Sequence, residues 1–355
     1  MKLATSLSLL VIVSLTVIFS RHPHQNDFRS FYAGAIALTS GKLAGLYHAQ
    51  LVSKTPLDLP FVRPPVYALI LAPFSWLPFL PAFCLWIALQ SGIFLYCLYK
   101  GQCRAAGLFP PVILGICHGQ DCAFFLGILV LSYVLLRDGR NFAGGSILGL
   151  GLLKFHLFLL WPVALAIERR WRALAGFCLA GAVLAALSLL VAGVQGTKDY
   201  CALLLSPALA NSTPGLAREV GIEGLLANLG LSSSLQLPLC FVLAAIVLYA
   251  VRKATLDRLF MLLPAVSLAI APHALYYDPT LLLLPFWLGL SSGLNRWFLY
   301  VLASPSVFLA PAFSAPWSAL SAVALLAFIF TALASTTGTK PWTPPIATDV
   351  SRVEA

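Results

Sequence analysis

The chain has 355 residues, of which 60% are hydrophobic and 10% charged, with a formal net charge of +10. Ordinary globular domains carry about 25% charged residues, so this composition, with a mean hydropathy of +0.92, excludes a soluble enzyme and indicates a polytopic membrane protein. At ~20 apolar residues per crossing, fewer where helices break or re-enter, the length allows roughly nine to thirteen transmembrane helices in an all-α fold. The cations gather in loop clusters, Arg137–Arg140, Glu168–Arg172 and Arg252–Arg258, as positive-inside loops do, and no basic-aromatic block suggests nucleic acid. Membrane lipid is the partner implied.

Lys2 and the apolar run Leu3–Phe19, with no small-x-small cleavage site before Arg21, predict an uncleaved first span with a cytoplasmic N-terminus. The polar interval Ser20–Tyr47 follows. Within it, Phe28, Phe31 and Tyr32 share one side of a short helix with Ala35 and Leu38, which suits a helix lying on the membrane surface. Asp27, at the mouth of that helix, reads either as an N-cap or as a partly desolvated carboxylate suited to general-base work. The prolines of Pro60–Pro65 favour an extended approach to a span over Val66–Leu77. Arg63 then stands at the membrane surface, as a snorkelling side chain or an anion ligand. Pro78 and Pro81 turn the chain into Phe83–Tyr99, which Lys100 and Arg104 end.

The runs Ala105–Cys117 and Cys122–Leu136 flank His118-Gly119-Gln120-Asp121, polar residues that a turn alone would explain. Counting spans from the N-terminus does not place both Lys100/Arg104 and Arg137/Arg140 in the cytoplasm. Either one cluster breaks the positive-inside pattern or one short run is re-entrant. Phe142–Ile167, interrupted by Lys154 and His156, is one tilted helix or two short helices meeting at Lys154. A lysine within an apolar run costs about 2.5–3.5 kcal/mol on insertion scales, and no acidic residue lies within two helical turns of Lys154. It therefore snorkels, or it faces an anion for which a phosphate would serve.

A span over Ala173–Val194 leads to the polar interval Gln195–Ser234, read as a loop with short surface helices and carrying Glu219 and Glu223. Leu235–Val251 and Leu259–Ala271 then precede Pro272-His273-Ala274-Leu275-Tyr276-Tyr277-Asp278-Pro279. His273, at a polar break between spans, suits phosphate binding, proton transfer or a structural hydrogen bond, while Asp278 before Pro279 suits an N-cap. Leu281–Leu290 and two further apolar runs complete an integral-membrane domain over residues 1–335, and residues 336–355 form a polar tail predicted to be disordered. The eight cysteines form no CxxC pair, and His22, His24 and His48 lack ligand spacing. No metal site or cofactor is expected.

In order along the chain, DFRSFYAGAIALTSGKLAGLYH, RPPVYALILAPFSWLP, GQD, AGGSILGLGLLKFHLFLLWP with ERRWR, and PHALYYDPTLLLLP resemble glycosyltransferase family 87, from about Asp27 to Pro285. The pattern departs at Phe155 and at Asp121, where asparagine is more usual. These are membrane glycosyltransferases of the GT-C type, similar to polyprenol-phosphate-mannose-dependent mannosyltransferases. The resemblance implies a GT-C-like bundle with extracytoplasmic surface helices, in the cell (inner) membrane. It implies transfer of a hexose, mannose above all, from a polyprenyl-phosphate-linked donor to an acceptor hydroxyl of a glycolipid or glycan on the extracytoplasmic side. Asp27 would be the general base, Lys154, His273 and Arg63 would meet the donor phosphate, and Tyr32, Gln120 and Asp278 would complete the substrate site. The alternative is a transporter or flippase for a lipid-linked sugar, in which polar groups at broken helices and inverted repeats are expected near the bilayer midplane.

Overall fold

The computed structural model describes residues 27–52, 60–101, 109–206, 219–252, 254–308 and 319–335. The expected first span, His22, His24, Cys103, Arg104 and the tail from Thr336 lie outside the described residues. Among those described, all regular structure is helical.

At one end of the bundle lie α1 (Phe28–Thr39) and α2 (Leu43–Val52), joined by a tight turn. The face of α1 carrying Phe28, Phe31 and Ala35 is buried, as the spacing predicts, and the Phe28 ring stacks on Trp86 and meets Phe74 edge-on. Next come α3 (Tyr67–Leu71) and a 3-10 segment, Ala72–Trp76. The expected span over Val66–Leu77 is not one. These ten helical residues, half of them 3-10, rise ~18 Å against a hydrocarbon core of ~30 Å, and the Leu77 carbonyl returns to α1, where it accepts a hydrogen bond from Tyr32 at 2.8 Å. Prolines cause the shortness. Pro64 and Pro65 precede the helix, Pro73 opens the 3-10 turn and Pro78 follows it.

From there α4 (Phe79–Gly101) leaves for the far end, parallel to α6 (Cys122–Arg137). The register is read from successive pairs: Trp86 Nε1 donates to the Gly119 carbonyl at 2.9 Å, Gln90 Oε1 accepts from the Phe124 amide at 3.0 Å, and Ile93 packs on Gly127. Between them α5 (Pro110–Cys117) returns the chain to the first end. The ends of α4 and α6 therefore lie together, which removes the conflict between the Lys100 and Arg137 clusters. With Val66–Leu77 this short, the arrangement fits the reading with one short re-entrant run.

The stretch Phe142–Ile167 is broken, as one of its two readings has it. α7 (Asn141–Gly149) passes into a 3-10 segment, Leu150–Leu157, in which Lys154 has non-helical angles (φ −129°, ψ 59°), and α8 (Leu160–Ile167) follows. The glycines of this stretch allow very close packing on α9 (Trp171–Leu204). A Cβ on Gly145 would lie 1.9 Å from the Ala173 carbonyl oxygen, and one on Gly176 would lie 2.2 Å from that of Phe142. α9 breaks at Gly193, close to the predicted end of its span, and its last turns pack on α2 through Tyr47 and Tyr200.

The remaining helices are α10 (Ile222–Asn228), α11 (Gln236–Ala250), α12 (Leu256–Ile270), α13 (Leu283–Ser291), α14 (Arg296–Leu302), α15 (Pro305–Phe308) and α16 (Ala319–Ala334). Thr255 caps α12, the most deeply buried helix, by accepting from the Arg258 amide. Among the described residues three helices are long and apolar enough to cross a membrane, Phe79–Tyr99, Trp171–Leu204 and Ser233–Ala250. Tyr67–Trp76, Cys122–Arg137 and Ala319–Ala334 are shorter apolar helices.

Three hydrogen bonds gather the basic loops at the far end. Tyr133 on α6 donates to Asp257 at 2.7 Å, Glu168 after α8 accepts from the Ala254 amide at 3.3 Å, and Arg258 donates to the Leu333 carbonyl at 3.0 Å.

Candidate active site

The polar residues of the other end converge on the turn between α5 and α6. Gly119 takes φ +76°, a left-handed conformation that costs glycine little, and so reverses the chain between two apolar helices. The reversal presents Gln120 and Asp121 to the bundle interior, where Asp121 is fully buried. Asp27 is fixed to the same turn, because its amide donates to the His118 carbonyl at 2.9 Å. Its side chain makes no capping bond. The carboxylate instead accepts from Gln120 Nε2 at 2.6 Å, and the same amide group contacts the Tyr277 hydroxyl at 3.1 Å.

On the other side of Asp121 lie the cations. Arg63 donates to Asp121 Oδ1 at 2.7 Å and forms an ion pair with Oδ2 at 2.7 Å, and Tyr67 donates to Oδ2 at 3.0 Å. Lys154 makes a direct ion pair with Asp278 and stands 4.0 Å from Asp121. Asp278 also accepts from the Leu275 amide at 2.9 Å. Aromatic rings wall the group: Arg63 lies 5.6 Å from the Phe31 centroid and Lys154 lies 5.5 Å from that of Tyr277. The Lys154 break in the 3-10 segment is what brings its ammonium to Asp278, which comes from 124 residues further along the chain.

Two expectations change here. Lys154 was expected to lack a protein counter-charge, but Asp278 and Asp121 supply one, because the fold joins segments that sequence distance keeps apart. Asp278 does not act as a helix N-cap; Tyr277 holds that position and the Asp278 carboxylate is committed to Lys154 and the Leu275 amide.

His273 stands at the edge of this group on the same segment as Tyr277 and Asp278. Its Nδ1 bonds Glu219 Oε1 at 2.8 Å. Tyr32 is not brought into the network. Its hydroxyl is spent on Leu77, and with Arg29, Ile36, Lys42 and Gln50 it lines an open cavity of about 1280 Å³ beside α1 and α2. Asp27, Arg63, Gln120, Lys154 and Asp278 thus meet in one network, with His273 adjoining and Tyr32 outside.

Burial pushes the Asp27 carboxyl up to about 6, against the hydrogen bond from Gln120, which favours the ionised form. A carboxylate so placed loses its proton near neutral pH and accepts another readily. Arg63 Nε and Gln120 Oε1 are buried without a hydrogen-bond partner among the described residues. Sequence reasoning missed Asp121, Tyr67, Tyr277 and Glu219. Asp121 and Glu219 were acids in polar intervals, where a turn or loop explained them; only their spatial partners distinguish them.

A family model described as glycosyltransferase family 87 matches residues 61–285, more than half of the chain. The match takes in Arg63, Gln120, Asp121, Lys154, Glu219, His273 and Asp278, and begins after Asp27. No curated protein and no solved structure gives a significant match.

Proposed function

The chain belongs to glycosyltransferase family 87 and is a membrane glycosyltransferase, and from that premise we propose that it moves a hexose, mannose above all, from a polyprenyl-phosphate-linked donor to an acceptor hydroxyl. The observation carrying this reading is that the hydrogen-bonded chain Asp27–Gln120–Tyr277 lies against the cations held by Asp121 and Asp278, with Lys154 5.5 Å from the centroid of the Tyr277 ring. Acceptor and leaving phosphate need different chemistry within a few ångströms, and the network offers a base at one end and cations at the other.

In the proposed step the acceptor oxygen attacks the anomeric carbon and its proton passes to Asp27. The bond from that carbon to the phosphate oxygen breaks, and the electron pair leaves with the polyprenyl phosphate. One negative charge develops on the phosphate as the carboxylate is neutralised. Arg63 and Lys154 then shift part of their interaction from Asp121 and Asp278 to the phosphate, and His273 meets it from the edge. Because both cations already have protein partners, the phosphate competes for them rather than filling an empty charge. Arg63 Nε, without a hydrogen-bond partner among the described residues, gives a further donor.

The basic loops favour an extracytoplasmic site. They gather beside Tyr133, twelve residues along α6 from Asp121, or ~18 Å at 1.5 Å per residue, and positive-inside topology puts that end in the cytoplasm. A GT-C-like bundle of nine to thirteen spans in the cell membrane, with α1 and α2 as surface helices and a glycolipid or glycan acceptor, is the architecture that goes with this. The test uses purified protein in vesicles with a radiolabelled polyprenyl-phosphate sugar. Label should pass to a second molecule; label that only crosses the bilayer, still on its carrier, would establish a flippase instead.

A further inference from the structure

Glu219 comes from a polar interval that the catalytic network does not use, yet its side chain is almost wholly buried, with 1% of its surface exposed. A buried acid with no role would be costly to keep. Backbone geometry aims it. The Val220 amide donates to the Ala274 carbonyl at 2.8 Å, which pairs the neighbour of Glu219 with the neighbour of His273. The following turn closes tightly over it, since a Cβ on Gly224 would lie 2.0 Å from the Glu219 carbonyl oxygen. Glu219 Oε1 bonds His273 Nδ1, whereas Oε2 is buried without a hydrogen-bond partner among the described residues. This acid is thus held for its contact with His273 rather than for satisfying the loop around it.

We infer that Glu219 is a positioning residue for the proposed transfer: it accepts a hydrogen bond from Nδ1–H of His273, fixes the ring's orientation and leaves Nε2 as the atom that meets the leaving phosphate. This rests on the reaction proposed above. The structure gives the ring one hydrogen bond among the described residues, through Nδ1, and the ring is one-third exposed, so Nε2 can reach a ligand. The hydrogen bond to Glu219 also raises the His273 pKa against the effect of burial, favouring the imidazolium that a phosphate needs, while burial pushes Glu219 up to about 7. The charged and titratable groups acting on the ring are Glu219 and Glu223 from the α10 side, Asp278 from its own segment, and His156 from the 3-10 segment that carries Lys154. Glu223 accepts from Gln236 at 2.9 Å and leaves the ring to Glu219.

The test compares wild type, Glu219→Gln, Glu219→Asp, His273→Gln and the Glu219→Gln/His273→Gln double variant. Glu219→Gln keeps the shape and an acceptor oxygen but removes the charge. It should lower kcat for label transfer about tenfold or more, up to the ~10²–10⁴-fold that positioned proton-handling groups themselves contribute, with donor KM changed much less. Glu219→Asp should recover part of the loss, and the double variant should be no slower than His273→Gln alone. Losses that multiply would show that Glu219 acts only on the loop, and would overturn the inference. Nitrogen NMR of histidine-labelled protein supplies a second reading that does not depend on turnover. The His273 titration should move to lower pH in Glu219→Gln, and an unmoved titration would refute the contact. Wild-type protein that transfers no label would refute the proposed reaction, while the NMR comparison would still decide whether Glu219 sets the state of His273.

Discussion

The two ends of α6 bury polar groups in different ways. At its C-terminal end Ser132 donates to the Gly144 carbonyl at 2.7 Å and Tyr133 donates to Asp257 at 2.7 Å, with Arg137 of the same helix also acting on Tyr133; each bond joins a neighbouring helix or loop. At the N-terminal end Asp121 serves Arg63 and Tyr67 and lies near Lys154, which in turn holds Asp278. The first pattern ties helices together. The second concentrates two cations and two carboxylates in an apolar bundle, which is costly unless every charge is matched, and replacing such groups with well-packed apolar residues is often neutral or stabilising. Stability alone does not explain the second pattern; the proposed transfer, with Asp27 beside it as the proposed base, would.

The largest stability effect should come from unbalancing the charged end. Lys154→Gln leaves Asp278 buried without its cation and should cost about 3–5 kcal/mol, the range for breaking one partner of a buried pair. A melting curve in detergent would show it. The Lys154→Gln/Asp278→Asn double variant should recover most of that loss without recovering transfer. A single variant as stable as wild type would mean that the ion pair carries no weight.

Next comes pH. Asp27 acts as a base only when ionised, and its folded-state pKa is raised to about 6, so kcat/KM should fall about tenfold per pH unit below that value. An acid limb near 4, where an ordinary aspartate titrates, would contradict the burial of this carboxyl. The Gln120 hydrogen bond lowers the Asp27 pKa, so Gln120→Leu should move the limb upward, and a downward move would break the link between the two residues. The smallest effect belongs to the other end. Tyr133→Phe removes one hydrogen bond to a half-exposed carboxylate. It should cost about 1 kcal/mol and leave transfer at the wild-type rate; lost transfer would erase the contrast between the two ends.

Much of the bundle was legible in the sequence, because apolar runs bounded by proline, glycine and charge give most helix positions directly. The break at Lys154 was legible as one of two alternatives. The shortness of Val66–Leu77 was not, since its composition is that of a span and only the return of Leu77 to Tyr32 shows where the chain stays. At the site, residues that were costly in place, such as Lys154, signalled themselves. Asp121 did not, because an acid at a turn is ordinary until Arg63, from 58 residues away, is brought against it. The Glu219–His273 contact is hidden for the same reason, being formed by a pairing across 54 residues that no local pattern encodes.

The central claim is that Asp27 is the base for sugar transfer, and Asp27→Asn tests it most directly. Asparagine keeps the size of the side chain and an oxygen for Gln120 but cannot take the acceptor's proton. With labelled polyprenyl-phosphate sugar at saturating donor and acceptor, transfer by Asp27→Asn should fall at least 10²-fold, as expected for loss of a general base, with the melting temperature nearly unchanged. Transfer above about a tenth of the wild-type rate by a correctly folded Asp27→Asn protein would contradict it.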